Sequence, residues 1–165
     1  MKDFYLEKIN SNMSKKEFEM FQDIPAKENG STNLCFGIPF ESFPAYIENQ
    51  MAREFNKISK YDTPTNIYLF YVGSRPVGYV GIRTKINKQW MKWSGNIFYA
   101  IRKSDRNKGY GTKLLACALN ESKKLGLKIA YIQSSKGNIA SQKVIEKNGC
   151  ELIRDVGTRY YKKNL

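Results

Sequence analysis

The run Arg106-Asn107-Lys108-Gly109-Tyr110-Gly111 concentrates the chemistry of this chain: two glycines let the backbone come close to a ligand, and cations crowd around them. The spacing of Leu114, Leu115, Ala118, Leu119, Ser122 and Leu125 predicts an amphipathic helix from Thr112 onward. Its unpaired N–H groups and positive dipole end would face the same turn, where Arg102, Lys103, Lys108 and Lys113 add charge. A pyrophosphate suits such a turn. The plainer alternative is a charged chain reversal in which the glycines serve only the turn. Two familiar phosphate loops are excluded by spacing. The dinucleotide fingerprint wants a third glycine where Leu114 stands, and the P-loop wants one where Arg106 stands and a lysine before Ser/Thr, whereas Thr112 precedes Lys113. Lys108-Gly109-Tyr110-Gly111 fills the first four positions of an RNA-recognition signature, but Thr112 and Lys113 occupy the Phe and Val positions and the continuation is helical.

The chain of 165 residues contains no histidine, which removes Ser-His-Asp, Cys-His and H-E-x-x-H chemistry together. Lys and Arg number 28 against 15 Asp and Glu, a formal charge of +13 that favours nucleic acid, an anionic membrane surface or a phosphorylated cofactor as partner. The lysines are scattered, as on a solvated basic surface. Cys35, Cys117 and Cys150 form no C-x-x-C, so neither a disulfide framework nor a metal site is expected. Ile67–Val72, the longest apolar run, is far short of a membrane span, and Met1-Lys2-Asp3-Phe4 begins no signal-peptide pattern. A single domain over residues 1–165, located in the cytoplasm, is expected.

The elements that must position the turn follow from periodicity and punctuation. Phe4–Ile9 reads as a strand, and Ser14 with Glu17 as a capping box for a helix over Lys15–Gln22 that Pro25 ends. Pro25 to Pro44 reads as a long loop. Phe43–Ile58, with Tyr46, Ile47, Met51 and Phe55 near helical spacing, predicts a second helix ending before a Tyr61-Asp62-Thr63-Pro64 turn. Ile67–Val72, Val77–Arg83 and Asn96–Ile101 read as an antiparallel meander with turns at Gly73–Pro76 and Asn87-Lys88. Helix Thr112–Leu125, strand Leu127–Ile132, helix Ser141–Asn148 and strands Cys150–Arg154 and Thr158–Lys162 complete the order βααβββαβαββ. An α/β fold is predicted, with a mixed, mostly antiparallel sheet flanked by helices.

The segment Ile101-Arg102-Lys103-Ser104-Asp105-Arg106-Asn107-Lys108-Gly109-Tyr110-Gly111-Thr112 resembles the R/Q-x-x-G-x-G/A pyrophosphate motif of the GNAT acyl-CoA N-acyltransferases. Downstream, Asn138 leading through Ser141 to Gly149-Cys150 is similar to that family's second signature, and the resemblance covers about Val77 to Leu152. It implies a GNAT-like fold with a parallel crossover, acetyl-CoA as cosubstrate, and direct acetyl transfer to a primary amine in a ternary complex, without a metal. It also implies pyrophosphate on the N–H groups of Arg106, Asn107, Lys108, Gly109, Tyr110 and Gly111, beside Thr112. The pantetheine arm would lie along Tyr99, Ala100 and Ile101, with Asn138 and the Ser141 turn on its other side. Monomers and homodimers both fit the resemblance.

The chain departs from the family at the chemical step. Where many members carry a tyrosine that protonates the departing thiolate, this chain has Ile145, and Ser94-Gly95-Asn96-Ile97 holds no carboxylate base. Tyr99 is the candidate acid, with a packing role as its alternative; Tyr131, Tyr160 and Tyr161 share that ambiguity. Glu41 and Glu48 are candidates to hold or deprotonate the amine, and the loop Asn29–Pro39 with Phe36, Phe40 and Phe43 to wall the acceptor site. The other reading of the same residues is a fold that has lost catalysis and binds nucleic acid through its basic surface.

Overall fold

Thr65–Val72 is a nearly unbroken apolar run because both of its faces are covered. Tyr68 and Phe70 point into one core and Ile67, Leu69 and Tyr71 into the other. In this computed structural model residues 3–59, 62–88, 91 and 94–165 are described. Strand β1 (Phe4–Lys8) precedes helix α1 (Lys15–Gln22), the short strands β2 (Lys27–Glu28) and β3 (Ser31–Thr32), and helix α2 (Phe43–Ala52). Strands β4 (Thr65–Val72), β5 (Arg75–Arg83) and β6 (Ile97–Ile101) lead into α3 (Tyr110–Lys124), β7 (Ile129–Ser135), α4 (Ile139–Lys147), β8 (Glu151–Asp155) and β9 (Thr158–Asn164).

The larger sheet has the order β1-β4-β5-β6 and the smaller β7-β9-β8, with every ladder antiparallel. Helices α3 and α4 cover one face through Leu114, Leu115, Ala118 and Ile145, while α1 and α2 cover the other through Met20, Phe21, Phe43 and Ile47. The crossover through α3 brings β7 beside β6, but the expected parallel pairing is not made. The residues just before β6 meet β7 at one antiparallel bridge, Gly95 to Ile132, and the two strands then part. Asn96 is the knot at that vertex. Its N–H donates to Tyr131 O (2.6 Å), its Oδ1 accepts from Tyr131 N–H (3.0 Å), and its Nδ2 donates to Arg83 O (2.9 Å). A Cβ on Gly95, whose φ is +67°, would run into the Tyr131 carbonyl.

Most predicted elements are present, with instructive differences. Helix α2 stops at Ala52 and passes into a 3-10 turn over Arg53–Phe55, because its buried residues are Phe43, Ile47 and Gln50, leaving Met51 and Phe55 exposed. The loop between the first two helices contains a hairpin, β2–β3, built on Asn29 (φ 48°) and Gly30 (φ 82°), the left-handed pair that a two-residue turn requires. At Asn87-Lys88 a helical turn begins, with Met91 N–H donating to Asn87 O (3.1 Å). Tyr61 of the expected turn and Met1-Lys2 of the N-terminal reading lie outside the described residues. No helix among the described residues is long and apolar enough to cross a membrane.

Candidate functional site

Where β6 and β7 part, a cleft of about 1000 Å³ opens, and the residues assigned to the cosubstrate by the sequence line it, Lys108 excepted. Tyr99, Ala100 and Ile101 line it from β6; Arg106, Asn107, Gly109, Tyr110, Gly111 and Thr112 from the turn; and Asn138 and Ser141 from α4. Lys108 is not among the lining side chains. Its Nζ folds back onto Ser104 O (3.0 Å) and Asp105 (2.8 Å).

The turn is shaped by left-handed residues at Asn107 (φ 61°) and Gly109 (φ 77°), the latter capping α3. Asn107, Lys108 and Gly109 donate no backbone hydrogen bond to any described residue, and Gly111 and Thr112 follow in the first turn of α3, where N–H groups lack helical partners. Arg106 differs from the sequence expectation, since its N–H is committed to Lys103 O (3.3 Å). The two glycines also differ from each other. A Cβ at Gly109 meets open space, so the φ selects glycine there, whereas a Cβ at Gly111 would press on Val144 of α4 at 3.3 Å.

The cations around the turn are largely neutralised. Arg106 forms a bidentate pair with Glu28 of β2 (3.0 and 2.6 Å) and also donates to Ile101 O (3.1 Å). The Arg106 hydrogen bonds hold the Glu28 carboxyl below the usual carboxylate range. Arg102 pairs with Asp23 (2.8 Å), and Arg75 and Lys108 converge on Asp105. Burial alone would raise the carboxyls of Asp23 and Asp105, but hydrogen bonds from Ser104 and Arg102 to the first, and from Lys108 and Arg75 to the second, lower both. The turn therefore offers the cleft backbone donors more than side-chain charge, while Lys143 and Lys147 of α4 also line it.

On the α3–α4 side of β6 the Tyr99 hydroxyl and Ser141 Oγ share a 3.0 Å hydrogen bond in which either can donate. Burial pushes the Tyr99 phenol up to about 12, against a lowering by that bond. Asn138 caps α4, its Oδ1 accepting from Ser141 N–H (3.2 Å). Ile145 is fully buried in the core, so no hydroxyl comes from that position. Alternation turns Phe98 and Ala100 to the opposite face, with Tyr79, and Gln133, Thr158 and Tyr160 also line the cleft.

Several expected acceptor residues lie elsewhere. Glu41 and Glu48 are exposed and outside the lining, as are Phe36 and Phe40, while Phe43 is in the core. Asn29, Gly30, Ser31 and Asn33 do line the cleft. Glu28, Asn33 and Gln133 were missed. The Asn29-Gly30 pair marks the hairpin that carries Glu28, but nothing in the sequence marks Asn33. Its amide seals the end of α1, donating to Phe21 O (2.7 Å) and Ile24 O (2.8 Å). No group of residues able to hold a metal occurs among those described.

The acetyltransferase (GNAT) domain family matches residues 36–151 of the chain. No curated protein matches it. Among solved structures, the microcin C7 self-immunity acetyltransferase, in complex with acetyl-CoA and AMP, is similar at a TM-score of 0.70 and 14% identity over 99% of this chain and 93% of that one. A GNAT-family acetyltransferase from Streptococcus pneumoniae gives 0.65 and 14% over 99% of both chains. An aminoglycoside acetyltransferase in complex with coenzyme A gives 0.65 and 16% over 98% and 95%. At these identities the likeness is one of fold.

Proposed function

The chain belongs to the GNAT acetyltransferase family, and from that premise we propose that residues 1–165 act as one N-acetyltransferase domain, moving the acetyl group of acetyl-CoA to a primary amine by direct attack in a ternary complex. One observation carries this reading: a single cleft gathers the donor-rich turn, the open edge of β6 and the Tyr99–Ser141 hydroxyl pair. Similar folds solved with acetyl-CoA or coenzyme A support the choice of cosubstrate. The residues present fit it. Unpaired N–H groups and a positive φ at Gly109 suit a pyrophosphate, and the free edge of β6 suits an amide-bearing arm.

When bound, acetyl-CoA supplies an acyl thioester whose sulfur leaves as the new amide forms. The chain's part is to hold and to exclude water. Asn107, Lys108, Gly109, Tyr110, Gly111 and Thr112 grip the pyrophosphate through backbone, Arg106 braces the turn, and Tyr99, Ala100 and Ile101 offer strand hydrogen bonds, with Asn138 opposite. Tyr99 and Ser141 keep a proton ready for the sulfur; a phenol raised to about 12 stays protonated at any working pH. The alternative of a basic nucleic-acid module is weakened by the pairing of Arg102, Arg106 and Lys108 with Asp23, Glu28 and Asp105.

A thermal-unfolding scan at physiological salt with acetyl-CoA, CoA, ATP or a short RNA tests this directly. At about 100-fold saturation, acetyl-CoA and CoA are expected to raise the midpoint by about 5 to 10 °C, with no response to the others. Gly109→Val should abolish the response. A shift with RNA alone, or with nothing, overturns the reading.

A further inference from the structure

The cleft wall that faces α1 and α2 lacks what amine acetylation ordinarily calls for, a free carboxylate. The acids lining the cleft, Glu28 and Asp105, are both held in ion pairs. In their place stands a neutral acceptor on the wall, with two cations behind the wall. Gln133 Oε1 is buried in the wall with no hydrogen-bond partner among the described residues. Phe98, which lies flat over Gly81 and lines the cleft, is backed by two guanidiniums, Arg83 Cζ at 4.4 Å and Arg53 Cζ at 5.6 Å from its ring centroid.

Resting on the acetyl-transfer reading above, we propose that this wall is the acceptor subsite and that it works by selecting the uncharged amine. Gln133 accepts a hydrogen bond from the amine N–H, and the Arg53–Arg83 pair makes the cavity too positive for an ammonium, so that no general base is needed. The rings of Tyr79, Phe98 and Tyr160 fit an amine with an aromatic or apolar body. The free base enters with its lone pair already available. That pair forms the C–N bond, and the C–S bond breaks with its electrons on sulfur. Sulfur takes a proton from the Tyr99–Ser141 pair, and the surplus proton on nitrogen passes to solvent, from which the pair is refilled.

The charges around this locus have the sign required. Burial lowers both arginines, and burial together with the charge of Arg53 brings Arg83 to about 10. Facing Arg53 are Tyr46 and Tyr79, whose phenols burial pushes up and keeps neutral, Gln50, which accepts from its Nη1 at 3.1 Å, and Asp62, an acid that acts on it among the described residues. Arg83 donates to Gly95 O at 3.0 Å. From β9 comes Tyr160, under Arg154 at 4.3 Å, and from the hairpin the neutralised Glu28. A cation beside an amine lowers its pKa, by about one unit or more where water is scarce.

The test is the pH dependence of kcat, which reports ionisation in the bound complex, for whichever of benzylamine, tyramine, phenylalaninamide and a tripeptide with a free N-terminus the wild type acetylates. The wild-type apparent pKa is expected about one unit or more below that of the amine in solution. Arg53→Gln should raise it by about half a unit or more, and Arg53→Lys should restore it. Gln133→Leu should lower kcat/KM for the amine about tenfold with the dissociation constant for CoA unchanged. An apparent pKa equal to the free amine's, or one unmoved by Arg53→Gln, overturns the subsite while leaving acetyl transfer standing. If acetyl-CoA binds but no amine in the panel is acetylated, the acceptor reading fails and the subsite with it.

Discussion

Tyr99 carries a phenol that burial raises to about 12 and that meets Ser141 across 3.0 Å, on the strand beside which the family resemblance lays the thioester. Two neighbouring hydroxyls are a better donor than either alone, since one can pass its proton while the other refills it. Tyr99→Phe keeps the ring that packs against the core and removes only the oxygen. We expect kcat to fall about 100-fold, within the range for a lost general acid, with the CoA dissociation constant and the unfolding midpoint nearly unchanged. A midpoint that drops together with kcat would assign Tyr99 to packing. Ser141→Ala should be milder, because the phenol remains. This pair was only half legible in the sequence: Tyr99 stood on a strand beside the expected thioester, but its partnership with Ser141 is a contact between β6 and α4 that no local pattern announces.

Between elements, the Glu28–Arg106 pair joins the β2–β3 hairpin to the turn before α3. Sequence alone assigns Arg106 to the pyrophosphate, because an arginine beside glycines at a helix start is read as an anion ligand; its carboxylate partner lies 78 positions away, beyond any periodicity. The strands and helices were legible wherever one face had to be buried, as in α1, β4 and α3, and failed where burial did not follow the obvious hydrophobes, as in α2, whose inward Gln50 replaces Met51. The cleft itself was not legible, since it arises from Gly95 and Asn96 stopping β6 and β7 from pairing beyond the vertex. Arg106→Ala is expected to free the hairpin, detected as faster amide exchange at Glu28–Ser31, and to weaken CoA binding about 10-fold by loosening the turn. Glu28→Gln should loosen the hairpin in the same way. If Arg106→Ala weakens binding while hairpin exchange stays slow, the arginine acts on the ligand and not on the hairpin.

Across the whole molecule, a charge of +13 and the absence of histidine set how it responds to pH. Histidine is the side chain whose ordinary pKa lies between 5 and 8, and burial pushes up all three cysteines, Cys35 to about 12. The groups that do couple folding to pH are acids. Arg106 hydrogen bonds lower Glu28, while in Glu17, Asp23 and Asp105 hydrogen bonds overcome the opposing effect of burial. A carboxyl lowered by folding adds stability that is complete above its unfolded value of about 4 and is lost as pH falls through the lower folded value. Each proton gained there also adds to an already large positive charge, so repulsion grows in step. The unfolding midpoint should thus stay level within about 2 °C from pH 5.5 to 8 and fall steeply below about pH 4. A level midpoint has a catalytic corollary. With no histidine in the chain and the cysteines pushed up, a rise of kcat/KM with pH in that window is expected to track the free amine, and two acceptors of different basicity should give curves displaced by the difference in their pKa values. Curves that coincide for the two amines, or a midpoint that steps between pH 6 and 8, would place a titrating group of the protein in the reaction.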